Sequence, residues 1–116
     1  INFHYARYRL GDKVDSFEIK PFVNSIKKDN YNVIMMITVM EHLPDPLETV
    51  KNITKGLKLK GIFIFDYILG DGDGQDTIEA VEQREDVLKY IDKNYTILSG
   101  FLSNKESMGT TVCRLK

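Results

Sequence analysis

Glu41 and His42 stand side by side in "VMEHLPDPLETV", residues 39–50, directly after the most apolar run of the chain. An imidazole with an ordinary pKa of about 6.5 can take a proton from a hydroxyl at neutral pH, which makes His42 the candidate general base. Glu41 is the candidate catalytic carboxylate beside it. Each residue has a plain structural alternative: a histidine bonded to backbone near a helix start, and a carboxylate that braces a loop. A second polar stretch, "DGDGQDTIEAVE" at residues 71–82, sets Asp71, Asp73 and Glu82 at intervals reminiscent of a calcium loop. The sixth position of such a loop requires glycine for its sharp turn, and Asp76 stands there instead, so no metal site is expected. "GDGDG" at residues 70–74 is a weak signal for a phosphate-binding loop. Cys113 sits in a strand-like stretch and reads as a small buried residue.

The elements that must carry these residues fit into one domain, residues 1–116, since the length allows a single core. A net charge of -1 offers neither nucleic acid nor an anionic membrane the basic surface that it rewards. One cysteine cannot form an internal disulfide, which points to a reducing, cytoplasmic setting. No apolar run approaches the roughly 20 residues of a membrane span, and no secretory signal opens the chain. The chain begins with "INFHYARYRLGDKV", which reads as the interior of a structure, so a fragment of a longer protein is expected.

"FHYARYRL" carries Phe3, Ala6 and Leu10 at helical spacing, and Gly11-Asp12 stops it. "KVDSFEI" alternates as a short strand over 14–19, closed by Pro21, which has no amide hydrogen for a ladder. "YNVIMMITVM" is apolar on both parities, the pattern of a central parallel strand buried on both faces. "GIFIFDYIL" repeats that pattern. The helix between them starts at "DPLE": Asp45 as N-cap, Pro46 in the first turn and Glu48 placed to complete a capping box. Leu47, Val50, Ile53 and Leu57 form its apolar stripe, with Lys51, Lys55 and Lys58 turned to water. Strand, helix, strand makes a βαβ unit. "DTIE" announces a further helix with Asp76 as cap, and Ile78, Val81, Leu88 and Ile91 form its apolar face. "YTILSGFL" and "GTTVCRLK" read as two strands, antiparallel across the polar turn "SNKES". In such α/β sheets ligands bind beyond the carboxyl ends of the strands, which is where Glu41 and His42 fall.

"YNVIMMITVMEHLPDPLETVKNITKGLKLKGIFIFDYI" resembles the centre of the class I S-adenosylmethionine-dependent methyltransferases. That family has a buried fourth strand, Glu-His-Leu/Val, an Asp-Pro helix start, a helix ending in Leu-Lys-Pro-Gly-Gly and a fifth strand. Leu57-Lys58-Leu59-Lys60-Gly61 departs at the proline and the first glycine. The resemblance extends more loosely over 69–116 and 1–19. It implies a Rossmann-like sheet with central parallel strands, an antiparallel C-terminal hairpin and helices on both faces. It also implies methyl transfer from S-adenosylmethionine to a small-molecule acceptor.

The resemblance further places Ile37 and Thr38 where the strand end faces the cofactor. Met40, with Leu43, falls where a side chain packs either on the adenine or on the neighbouring helix. Glu18 falls near the end of the third strand, close to the family's adenine-contacting Asp, although Lys20 stands nearer that position. The family's glycine-rich turn and its ribose-holding acid do not occur ahead of these motifs in this sequence. The chain therefore reads as the C-terminal part of a methyltransferase domain, inactive alone. Without its usual neighbours the fourth strand has an open edge. The segment 14–19 is expected to shift onto that edge, to pair with a second copy, or to be poorly ordered. The alternative is a non-catalytic Rossmann-like module that assembles with a partner chain. A nicotinamide oxidoreductase half fits less well, because Glu-His after the fourth strand is not expected there.

Overall fold

The computed structural model describes residues 3–11, 26–70 and 76–116. Helix α1 spans Phe3–Leu10 and ends where Gly11 turns into the left-handed region at φ +57. The expected strand at 14–19, and with it Glu18, lies outside the described residues. A turn at Lys28–Asp29 leads into strand β1, Tyr31–Met36. After a 3-10 turn at Met40–His42 come helix α2, Pro46–Gly56, and strand β2, Leu57–Tyr67. Helices α3, Ile78–Glu82, and α4, Arg84–Asn94, lead into β3, Tyr95–Ser99, and β4, Met108–Leu115.

The four strands form one sheet in the order β1-β2-β4-β3. β1 and β2 are parallel, as the strand–helix–strand pattern requires, and β4 runs antiparallel to both β2 and β3. The expected C-terminal antiparallel pair is therefore present, with β4 inserted between β2 and β3. Among the described residues no helix is long and apolar enough to cross a membrane.

Helix α2 begins as its sequence dictates. The Asp45 carboxylate accepts the Glu48 amide at 3.1 Å, and Pro46 occupies the first turn, where a missing amide costs nothing. Glu48 points along the helix to Lys51 at 3.5 Å. The helix ends at Gly56, earlier than its lysines suggest. The Asp29 and Asn30 amides take the Lys55 and Gly56 carbonyls at 3.0 and 2.9 Å, which caps the helix C-terminus. A Cβ on Gly56 would press on the end of the Ile26 side chain, which would have to shift to admit it. Leu57 thus opens β2 while remaining buried.

The core lies between one face of the sheet and helices α2 and α4. Phe63, Phe65 and Tyr67 of β2 meet Val50 and Ile53 of α2 and Val87, Leu88 and Ile91 of α4. Two sequence expectations change here. The run 76–94 is not one amphipathic helix: it breaks at Gln83. Thr77 rather than Asp76 caps the first piece, its hydroxyl accepting the Ala80 amide at 3.1 Å. The break rotates the faces, so Ile78 and Val81 are exposed while Ala80 and Arg84 are buried. The second change concerns β1, which is not buried on both faces. Val33 is 53% and Met35 66% exposed, and β1 is an edge strand among the described residues.

Candidate active site

The site is assembled where β1 and β2 end side by side. Past Met36 the chain leaves the sheet through Ile37 and Thr38, and Thr38 sits at φ +56. A β-branched residue in the left-handed region costs about 1–2 kcal/mol, because Cβ crowds the following carbonyl. The compensation comes from the neighbouring strand. Oδ1 of Asp66, in β2, accepts the Thr38 amide at 2.8 Å, and Asp66 is only 6% exposed. A hydrogen bond to a charged group contributes about 1.5–3 kcal/mol, enough to offset the strain.

The backbone then winds into the short turn Met40–His42, with the His42 amide donating to the Val39 carbonyl at 3.0 Å. Consecutive side chains of this turn point different ways. Met40 enters the core and has no exposed surface. The Glu41 side chain is 5% exposed and that of His42 42% exposed. Glu41 Oε1 lies 3.7 Å from His42 Nε2, and Glu41 Oε2 is buried with no hydrogen-bond partner among the described residues.

Helix α3 is stitched to this turn. The Thr77 amide donates to the Glu41 carbonyl at 3.0 Å, and the Thr77 hydroxyl donates to the Leu43 carbonyl at 2.6 Å. Beneath it, the Arg84 guanidinium donates to the carbonyls of Tyr67, Ser103 and Glu106 at 2.8, 3.0 and 2.8 Å. It also lies 4.4 Å from the centre of the Tyr67 ring. The Tyr67 hydroxyl donates to the Ala80 carbonyl. Burial is the main reason the Tyr67 phenol is pushed up to about 12, with Glu41 and Asp76 adding to it and Arg84 opposing. Burial likewise lowers the Arg84 pKa, with Tyr67 and Glu41 opposing that shift.

Of the residues singled out from the sequence, Ile37, Thr38, Glu41 and His42 come together at the strand ends. Ile37 is 39% exposed there. Met40 belongs to the same turn but is part of the core, packed rather than presented to a ligand. Glu18, Asp71 and Asp73 lie outside the described residues. Asp66, Thr77 and Arg84 are the residues that sequence reasoning passed over. The acid in the middle of "FIFDYI" was the available signal for Asp66, since a carboxylate inside an apolar strand needs a partner.

Residues 4–101 match the family model described as "Methyltransferase domain". The chain belongs to that family. The fold agrees. A SAM-dependent methyltransferase from Aquifex aeolicus superposes with a TM-score of 0.64 at 12% identity, over 97% of this chain and 61% of that one. A protein from Listeria monocytogenes, assigned as an S-adenosylmethionine-dependent methyltransferase, gives a TM-score of 0.53 at 12% identity, over 81% of this chain and 65% of that one. Among curated proteins, the tryptophan synthase alpha chain of Saccharolobus solfataricus is 34% identical over 83 residues, which is 66% of this chain and 34% of that protein. This methyltransferase domain thus spans about a third of that curated relative and less than two thirds of the two structural ones.

Proposed function

We propose that the protein to which this chain belongs transfers a methyl group from S-adenosylmethionine to a small-molecule acceptor, with His42 as general base. In this reading the chain is the C-terminal part of the catalytic domain and is inactive alone. The carrying observation is the half-exposed His42 at the carboxyl end of β1, backed at 3.7 Å by the buried Glu41, in a domain of the methyltransferase family. S-adenosylmethionine, when bound, supplies an electrophilic methyl group. The residues present fit one side of it: Ile37 offers an apolar surface and Thr38 a backbone held in place at the strand end. His42 takes the proton that the acceptor's hydroxyl or amine gives up, and Glu41 steadies the resulting imidazolium. Orientation of the acceptor against the methyl supplies much of the rate, so the base adds to catalysis without being its sole source. A cytoplasmic setting goes with this reading, since the one cysteine, Cys113, forms no disulfide within the chain. The tryptophan synthase relative does not enter it, because the shared stretch covers only 34% of that protein.

The test is a calorimetric titration of S-adenosylhomocysteine into the chain, and into a longer chain that carries the upstream residues. Binding by the longer chain supports the proposal. Binding by neither sinks it. Micromolar binding to the chain as it stands would show that the cofactor grip is built from residues present here, and would remove the claim that it is an inactive part.

A second reading is a non-catalytic module that assembles with a partner chain or with a second copy. It is favoured by the apolar edge at β1, where Val33 and Met35 are 53% and 66% exposed. Failure of the longer chain to bind S-adenosylhomocysteine, together with stable self-association of this one, would select it.

A further inference from the structure

We infer that Asp66 is a positioning residue for the cofactor side of the site, acting through the backbone of Thr38. Four observations converge. Thr38 is a β-branched residue at φ +56, a conformation that it does not adopt without support. The bond from its amide to Asp66 Oδ1, at 2.8 Å, joins residues far apart in sequence and ties the exit of β1 to the end of β2. Asp66 is 6% exposed, so its carboxylate is held in one place and shielded from competing water. The residues whose course this bond sets are Ile37, Thr38, Glu41 and His42. A relaxed Thr38 would swing the peptide that leads into the Met40–His42 turn and displace the exposed side chains on either side of it.

Asp66 is therefore part of the site's frame and touches neither methyl donor nor acceptor. Its effect on function rests on the proposed methyltransferase reading, whereas its effect on the turn does not. The experiment separates the two. Amide NMR spectra are recorded for the chain and for Asp66→Ala, Asp66→Asn and the double variant Asp66→Ala/Thr38→Gly, with hydrogen exchange followed at residues 37–42. The Thr38 amide is expected to be protected in the chain. In Asp66→Ala, that protection should fall about tenfold or more, the loss that goes with one hydrogen bond to a charged acceptor. Protection at Ile91 and Cys113 in the core should hold. Asp66→Asn keeps an acceptor oxygen without the charge and should fall between the parent chain and Asp66→Ala in protection. The double variant should return the signals of residues 39–42 to their original positions, because glycine occupies the left-handed region without help.

Unchanged protection of Thr38 in Asp66→Ala overturns the inference. So does failure of glycine at 38 to restore the turn, which would mark Asp66 as a packing residue. If Asp66→Ala does not fold, the comparison of Asp66→Asn with the parent chain decides, with loss of the Thr38 signal in Asp66→Asn counting against it. In the longer chain, S-adenosylhomocysteine affinity should follow the same ranking across the variants. A chain that binds none, yet shows the ranking in exchange, would reject the methyltransferase reading and keep the Asp66 inference.

Discussion

The two faces of the sheet are built from the same kinds of residue and behave differently. On the covered face, Phe63 and Phe65 stack with ring centres 4.8 Å apart, and Phe63 lies 6.0 Å from Tyr95. The Tyr95 hydroxyl meets Thr54 Oγ1 of α2 at 2.7 Å, and the Cys113 thiol donates to the Phe63 carbonyl. On the opposite face, Val33 pairs with Ile62, beyond which Arg114 follows, and Met35 pairs with Ile64 and then Val112 in an apolar row across three strands. Val33 and Met35 are exposed, and Ile62, Ile64 and Val112 are half-buried. The apolar pattern of a strand therefore records what the strand can bury, not what it does bury. Burial depends on partners, and here α2 and α4 cover the face that carries Phe63 and Phe65.

Substitutions can break or sharpen that contrast. The largest expected effect is on the covered face: Phe65→Ala should lower stability by about 3–5 kcal/mol in urea unfolding, because it leaves a cavity beneath α2 and α4. Met35→Ala on the open face should cost less than about 0.5 kcal/mol in the same measurement. A Met35 cost close to that of Phe65 would show that the open face is covered in solution. Next in size is Arg84→Met, expected to cost about 3 kcal/mol, since three carbonyls lose a charged donor.

Alkaline pH should weaken the covered side selectively. Burial raises the Cys113 thiol from 9.0 to about 12 and the Tyr67 phenol from 10.0 to about 12. The unfolded chain then gives up these protons first, so stability is intact below pH 9 and falls as pH rises toward 12. Urea midpoints between pH 8 and pH 11 should show this decline, and it should shrink in Tyr67→Phe and in Cys113→Ala. Asp45→Ala should cost about 1 kcal/mol as a lost cap. The smallest effect on stability, within about 0.5 kcal/mol, is expected from Met35→Lys. If a second copy covers the open edge, sedimentation should show that variant as a monomer at concentrations where the parent chain is paired.

What could be read from the sequence follows the range of the interactions involved. The Asp45 cap, the Pro46 start and the parallel pairing of β1 with β2 were legible, since a cap spans three residues and a βαβ unit declares itself by element order. The antiparallel placement of β3 and β4 was legible from one polar turn. The cap of α3 was misjudged by one residue, because Asp76 and Thr77 are both good caps and only the stitching of Thr77 to Glu41 and Leu43 decides between them. The break at Gln83 carries no strong local signal, and the apolar stripe drawn through Ile78 and Val81 failed there. Within the site, Glu41 and His42 were legible as a polar pair at a strand end. The Asp66–Thr38 bond was not, since nothing in a threonine announces a left-handed backbone. The exposure of Val33 and Met35 was not legible either, because both-parity apolar runs look alike whether their partners lie within the chain or elsewhere.

The layout of the connections has a consequence for how such a domain can change over time. At one end of the sheet the helices run straight into strands, Gly56 into Leu57 and Asn94 into Tyr95. At the other end lie the longer passages 37–45 and 100–107, and the first of them carries the candidate site. A change of length at that pole need not move a strand, but it must spare the bonds that hold Thr38, Glu41, Leu43, Ser103 and Glu106. At the joins Gly56–Leu57 and Asn94–Tyr95 a single added residue must shift either a helix or a register. Change in length is thus channelled to one side of the sheet, the side on which the candidate site lies.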